Sequence, residues 1–440
     1  MKPMNIIAID CGASFVKAAL FRDSEIVKEI YKKTPIISKN IFLPTKIKIL
    51  ISLIKEILVD FTDELKEAFL VISNEMHGFI LAKENGEPFS DYISWQVELG
   101  NKIIDGISSK QILCSEKYIS DIKKTGMGVR AGLPSSNLLF FKRKGYIKKY
   151  AKKLYFYTLG DYIIRNISGK EVYSHITNAA STGLFNLENN IWNNNLIDLV
   201  SENNIIFPEI KAKEIICDFN GCCLHLLPAI GDQQAALLGA DVKYVGDLSF
   251  NLGTGAQVSL VCNRPYYSDN YQIRPYFNGL FLKSIPHLPS GRAINVYIRF
   301  IKDILRKFSC IVEDKDIWET ILRQQYKCIE RQDIECDLSF FENPLTNKTT
   351  GAIFNISEYG LDFESLFFSI FKSMSKNFIY AADLLCYDKD IKRIVFSGGI
   401  AQKISMLRYS IIERYHNVDV VISPRNETLY GLKYYAEKQI

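Results

Sequence analysis

The chain has 440 residues, of which 48% are hydrophobic and 23% charged, with a formal net charge of +5. That length buries at least two cores, and the dispersed positive balance argues against nucleic acid while suiting anionic metabolites. Ten cysteines and five histidines without metal-knuckle spacing argue against a disulfide framework or structural zinc, so reduced thiols in a cytoplasmic protein are expected.

Asn5–Asp10 reads as a short buried strand ending in a carboxylate, Cys11–Ser14 as a tight turn, and Phe15–Phe21 as the returning strand. Small residues at such a turn let backbone N–H groups approach a phosphate. Gly12 and Ser14 are therefore candidate phosphate contacts, with Lys17 facing phosphate or solvent and Asp10 holding a hydrated magnesium ion or orienting the transfer. Ile47, Leu50, Ile51, Ile54, Ile57, Leu58 and Phe61 follow a helical period, giving a sheet-covering helix over 46–61 whose charges exclude a membrane span. Ala68–Ser73 is a buried strand that delivers Met76, His77 and Gly78 to its end, where α/β folds place ligand contacts. Trp95 beside Gln96 offers an apolar plate next to an amide, suited to a sugar's carbon face and hydroxyls. Lys142–Arg143–Lys144 reads as a solvated helical face, Leu154–Ile164 as a buried helix leaving at Gly169, and Thr177–Gly183 as a small-residue turn against substrate or neighbouring structure.

Gly221–Pro228 reads as the passage between halves, which puts domains at 1–227 and 228–440. The stretch that organises the rest is Gly231–Asp232–Gln233–Gln234–Ala235–Ala236, an acid among small residues just ahead of a strand, glycine turn and strand over Leu248–Leu260. Asp232 is the candidate base, and Gly253, Thr254 and Gly255 form a candidate phosphate turn. The second hairpin repeats the first, with Asp10–Cys11–Gly12 answering Asn251–Leu252–Gly253. Further on, Gly291 opens a helix and 296–346 supplies helices over the second core. Phe363–Leu385 is a long helix and Ile391–Phe396 a strand ending at Ser397–Gly398–Gly399, where glycines admit an adenosine. Asn426–Glu427–Thr428 is the capped start of a final helix.

Taken together and in this order, these motifs resemble the FGGY carbohydrate kinases of the actin-like ATPase superfamily, nearest their sedoheptulokinase-like or xylulokinase-like members. The resemblance implies two ribonuclease-H-like α/β domains around a central cleft, with carbohydrate mainly on the first and ATP with Mg2+ mainly on the second. It gives Asp232 the role of catalytic base and of substrate contact, with Met76, His77, Trp95 and Gln96 also in the substrate pocket. Asp10 is placed at the metal, and Gly12, Ser14, Lys17, Gly253, Thr254, Gly255, Gly398 and Gly399 at the nucleotide. One departure is visible: Val97–Glu98 stands where the family often has an acid directly after Trp–Gln. The expected activity is ATP-dependent phosphorylation of a small carbohydrate, a ketose such as sedoheptulose or xylulose. Glycerol or another polyol, or a catalytically weak carbohydrate- or nucleotide-binding protein, are the alternatives. A homo-oligomer is compatible with the family, though no patch marks its face.

Overall fold

The apolar run at 5–11 forms β1 (Asn5–Cys11), which pairs antiparallel with β2 (Phe15–Arg22), itself antiparallel to β3 (Glu25–Lys33). The computed structural model describes residues 4–35, 41–148, 152–201, 204–324, 334–386, 391–416, 418–423 and 427–439. Alternate residues of β1 serve two different cores. Ile7 and Ile9 pack with Ile47, Leu50, Ile54, Ile57, Leu58 and Phe61 of α1 (Thr45–Thr62), while Ile6 and Ala8 pack with Leu429, Leu432, Tyr435 and Ala436. A strand covered on both faces needs apolar residues at every position, which is why the run is unbroken. The N-terminus of α1 is capped from a distance: Asp91 accepts the N–H groups of Lys46 (3.1 Å) and Ile47 (2.8 Å).

β4 (Glu67–Asn74) runs parallel to β1, with Asp10 opposite Ser73 and Cys11 opposite Asn74. The small-residue passage becomes a helical turn, Ile176–Ala180, and is buried. Beyond β4 the sheet continues through β5 (Ile215–Phe219) and β6 (Cys222–Leu226), giving the order β5-β6-β4-β1-β2-β3. β7 (Ile230–Gly231) adds to β4, with Gly231 opposite Asn74. In-register parallel pairing thus brings the ends of β1, β4 and β7 to one edge.

Three expectations are corrected here. Gly221–Pro228 is no linker: Cys222, Leu224 and Leu226 point into the core and Cys223 and His225 alternate outward, the period of a strand. Leu154–Ile164 is not one helix, because Leu154–Tyr157 is a strand and Thr158 then caps the helix Leu159–Ser168 through a capping box with Asp161. Lys142 and Arg143 are not simply solvated, since Lys142 donates to the carbonyls of Asp198 and Leu199 and Arg143 to those of Ile104 and Ile107.

One compact unit comprises Met1–Gly239, Arg274–Gly279 and Asn426–Ile440, the other Ala240–Ile273 and Leu280–Arg425. The boundary expected from the sequence is 227/228, whereas the first stretch of the first unit ends at Gly239. Residues 228–239 stay with the first unit because β7 pairs with β4 and α2 (Asp232–Gly239) lies against α3 (Glu427–Gln439). The expected cap at Asn426 lies outside the described residues.

In the second unit β8 (Asp247–Leu252) and β9 (Ala256–Cys262) form the expected hairpin. The sheet also holds β10 (Gln272–Pro275), β11 (Phe281–Leu288), β12 (Arg393–Ser397) and β13 (Asp419–Ile422), in the order β10-β11-β9-β8-β12-β13. β12 runs parallel to β8 with Ser397 opposite Asn251, as β4 runs parallel to β1. The repeat seen faintly in sequence is therefore a repeat of topology. The helices Gly291–Lys307 and Phe363–Leu385 pack their apolar residues onto this sheet, the latter with the predicted bounds.

Candidate active site

The end of β1, the loop after β4 and the start of α2 hold the acids of the first unit. Asp10 is buried, and the Ser73 hydroxyl donates to its Oδ1 at 2.8 Å. Lys17 is its cross-strand partner, and its charge partly offsets the burial that raises the pKa of Asp10. Asp232 is the first residue of α2, where its Oδ1 accepts the N–H of Gln233 at 2.8 Å. Desolvation, then the nearby charges of Asp10 and, more weakly, Glu75, push its pKa up to about 8, against the weaker pull of backbone hydrogen bonds. Glu75 is a third acid, buried beside Lys46, Tyr92 and Trp95, and burial also raises its pKa.

These loops are tied together by small polar side chains. Asn178 Nδ2 donates to Asn74 Oδ1 and to the Ala229 carbonyl, both at 2.9 Å, and Thr177 Oγ1 accepts the Gly231 N–H at 3.1 Å. Met76 lies under the same turn: a Cβ added to Gly231 would fall 2.4 Å from its Sδ and 2.6 Å from Gln234 Oε1, so both flexible side chains would have to give way. The passage 177–183 is thus close structural packing that positions the turn carrying Asp232.

His77 holds a left-handed backbone (φ 66°) that costs a non-glycine residue energy and is fixed from outside. Its N–H donates to Ser181 Oγ (3.3 Å) and its Nδ1 bonds the Ser181 carbonyl (2.7 Å). A carbonyl only accepts, so Nδ1 carries the proton and Nε2 is the acceptor. Nε2 meets Arg130 at 3.2 Å and Arg274 at 3.4 Å. Trp95 is 40% exposed and Gln96 is exposed, while Glu98 accepts from Asn101 Nδ2 at 2.9 Å and Val97 is half-buried. The acid after Trp95–Gln96 is therefore spent on its own turn.

The raised pKa of Asp232 has two measurable consequences. With Asp232 as the base expected from the sequence, which must be unprotonated to work, the pH dependence of kcat/KM should rise about tenfold per pH unit from pH 6 and level off near 8. Stability should move the other way. Between about pH 4 and 8 the folded chain keeps a proton on Asp232 that the unfolded chain has released, so this group's contribution falls as pH rises through that window. A pH–rate profile flat between 6 and 8.5 would contradict the assignment.

In the second unit, Gly253–Gly255 form the tip between β8 and β9, with Thr254 and Gly255 exposed. Two loop carbonyls are satisfied by the start of the helix Gly291–Lys307: Gly291 N–H donates to the Gly253 carbonyl (3.1 Å) and Arg292 N–H to that of Thr254 (2.7 Å). Gly398 follows β12 with φ 85° and caps the helix Gly399–Lys403. A Cβ there would come 2.5 Å from the Leu252 carbonyl, so the turn after β12 is pressed against the end of β8. The glycine loop, the helix start and the Gly398–Gly399 turn share one end of this sheet. Helix N-termini and loops of backbone N–H groups favour phosphate.

The description of the FGGY family of carbohydrate kinases, N-terminal domain, matches residues 5–239, more than half of the chain. The chain belongs to the FGGY family of carbohydrate kinases. Over 195 residues this FGGY chain is 28% identical to the glycerol kinase of Saccharolobus islandicus, a match covering 42% of this chain and only 38% of that relative. Among solved structures, the ligand-bound xylulose kinase of Lactobacillus acidophilus superposes with a TM-score of 0.81 at 19% identity, covering 99% of this chain and 89% of that one. The glycerol kinase of Plasmodium falciparum with ADP gives 0.77 at 16% identity, covering 98% and 88%. These likenesses show the fold, an FGGY kinase fold of two ribonuclease-H-like units.

Within this FGGY fold the structure gathers Asp10, Met76 and Asp232 at one edge of the first sheet, with His77 and Trp95 on the adjoining loops. Gly12 and Ser14 form the β1–β2 tip with Thr34, which donates from Oγ1 to the Gly12 carbonyl and from N–H to that of Ser14. Gln96 sits at the surface and has no contact that assigns it a role. Sequence reading missed Glu75, Lys46, Arg130 and Arg274. Lys46 is buried at the head of α1 with its Nζ 5.1 Å from the centre of the Tyr92 ring, and its charge lowers the pKa of Glu75. A lysine at the start of a strongly apolar helix was the available signal.

Proposed function

We propose that this FGGY chain transfers the γ-phosphoryl group of ATP to a hydroxyl of a small carbohydrate, with Asp232 as the base. The observation that carries the reading is Asp232 at a helix start beside Asp10, its proton affinity lifted towards neutral pH. A base tuned there can take a hydroxyl proton as the oxygen attacks. Met76, His77, Trp95 and Gln96 are proposed to hold the acceptor. Gly12, Ser14 and Lys17, together with Gly253–Gly255 and Gly398–Gly399, are proposed to hold the nucleotide. The mutual repulsion of Asp10, Glu75 and Asp232 fits a site that takes a cation, so Asp10 would hold Mg2+, which when bound offsets charge on the transferring group.

Ketoses of the xylulose or sedoheptulose type are the first acceptors to assay, and the likeness to glycerol kinases puts polyols in the same screen. Free cysteines among the described residues, and the lack there of any helix long and apolar enough to cross a membrane, are compatible with a cytoplasmic site of action. The test is ATP consumption across ketoses, aldoses and polyols with direct detection of the phosphorylated product. ATP loss without product would make the chain a hydrolase and reject the reading. Replacing His77 with alanine removes the acceptor shared by two guanidiniums. The KM for the carbohydrate should rise about 10- to 100-fold, with the KM for ATP within about threefold. The opposite pattern would move His77 out of the carbohydrate pocket.

A further inference from the structure

Glu75 is a buried acid to which the phosphoryl transfer gives no task of its own. Its backbone is fixed from both sides. The N–H donates to the Cys11 carbonyl at 3.0 Å, one step beyond the β1–β4 ladder, and the carbonyl accepts Asn74 Nδ2 at 2.8 Å. Its side chain lines a narrow space behind the β1–β2 tip, together with Gly12, Thr34, Lys46, Leu50 and Tyr92. Lys46 supplies the opposite charge there, Tyr92 lies beside the carboxylate, and the Trp95 side chain is hydrogen-bonded to it. An indole has only its N–H to give, so the carboxylate is the acceptor. Trp95 is thereby held at two points. A Cβ on Gly132 would come 1.9 Å from the Trp95 carbonyl oxygen, so the backbone is pressed against that loop while Glu75 holds the ring. The residue nonetheless keeps 40% of its surface exposed, as a ring must that is to lie against a ligand.

Apolar residues of similar volume often replace a buried ion pair without loss, so stability alone does not account for Lys46 and Glu75. A hydrogen bond to an ionised acceptor is shorter and about twice as strong as a neutral one, which suits a carboxylate that sets the angle of a ring. We propose that Glu75 is a positioning residue of the acceptor pocket: anchored by Lys46, its carboxylate takes the Trp95 indole N–H and so fixes the plate against which the carbohydrate's carbon face lies. This rests on the carbohydrate-kinase reading and deepens it. Glu75 acts through Trp95, without meeting the acceptor itself.

The test uses the full chain with and without Trp95→Phe, which keeps an aromatic plate but has no N–H. The chain has three tryptophans, and the difference in emission within such a pair of proteins isolates Trp95. Glu75→Gln keeps the side chain's length but offers one acceptor oxygen in place of two and no charge. In that variant the Trp95 emission should move to longer wavelength and be quenched more steeply by acrylamide. The double variant Lys46→Met/Glu75→Met leaves no buried charge unpaired. It should show the same two changes, and it carries the test where the single change does not fold. In turnover, Glu75→Gln should raise the KM for the carbohydrate about tenfold, with the KM for ATP within about threefold. In the Trp95→Phe background the same change should alter the carbohydrate KM by less than about twofold, because residues that act through one another are not additive. Unchanged Trp95 emission and quenching, or KM effects that add in full, would overturn the proposal. No phosphorylated product from any carbohydrate would defeat the kinase reading, while the emission still decides whether Glu75 holds Trp95.

Discussion

Replacing Asp232 with asparagine should lower kcat about 10²- to 10⁴-fold while nucleotide affinity stays within about threefold, the range for removing a general base. Asparagine keeps the shape and can still accept the Gln233 N–H through its side-chain oxygen, so α2 should start where it does now. It also removes a charge that burial and Asp10 disfavour. The variant should therefore be no less stable than the parent at pH 9, where Asp232 is ionised. That combination, inactive yet at least as stable in alkali, separates a lost base from a damaged fold. Equal turnover in parent and variant would remove Asp232 from the chemistry.

The second large effect is expected where α2 meets α3. α2 and α3 touch through glycines: a Cβ on Gly431 would lie 1.8 Å from the Ala235 carbonyl oxygen, and one on Gly239 1.7 Å from that of Glu427. Alanine is favoured over glycine in a helix by about 1 kcal/mol, so propensity alone predicts that Gly431→Ala stabilises. Sterics decide otherwise, since the obstacle is backbone and cannot turn aside. Overpacking of this kind costs about 1–3 kcal/mol and occasionally more. We expect Gly431→Ala to lower the melting temperature by about 5 °C and to depress turnover too, because Asp232 rides on the helix that must shift. A melting temperature equal to or above the parent's would show that the helices separate without cost.

Elements whose pattern is local were legible in the sequence. Phe363–Leu385 shows a helical period along its length, and the two glycine-turn hairpins show strands buried on both faces. Leu154–Tyr157 misled because four apolar residues fit either a helix or a strand, although the Thr158–Asp161 capping box that separates them from the helix was present to be read. Gly221 and Pro228 punctuate Cys222–Leu226 like a linker, yet the alternation of Leu224 and Leu226 with His225 is the stronger signal and marks a strand. Asp232 could be singled out by its small neighbours. The guanidinium pair could not, since His77 and Arg274 lie 197 residues apart and only the folded chain brings them to one nitrogen. Nor does any local pattern reveal that Glu75 is buried against Lys46.

The face of the first sheet built by Ile6, Ala8 and Val71 is covered by Leu429, Leu432 and Tyr435 of α3. On the ribosome that helix emerges only after the whole second unit has been made. Until then the nascent first unit has only its own Leu227, Ile230, Ala235 and Leu238 against this face, and the part that α3 buries stays open to chaperones and to aggregation.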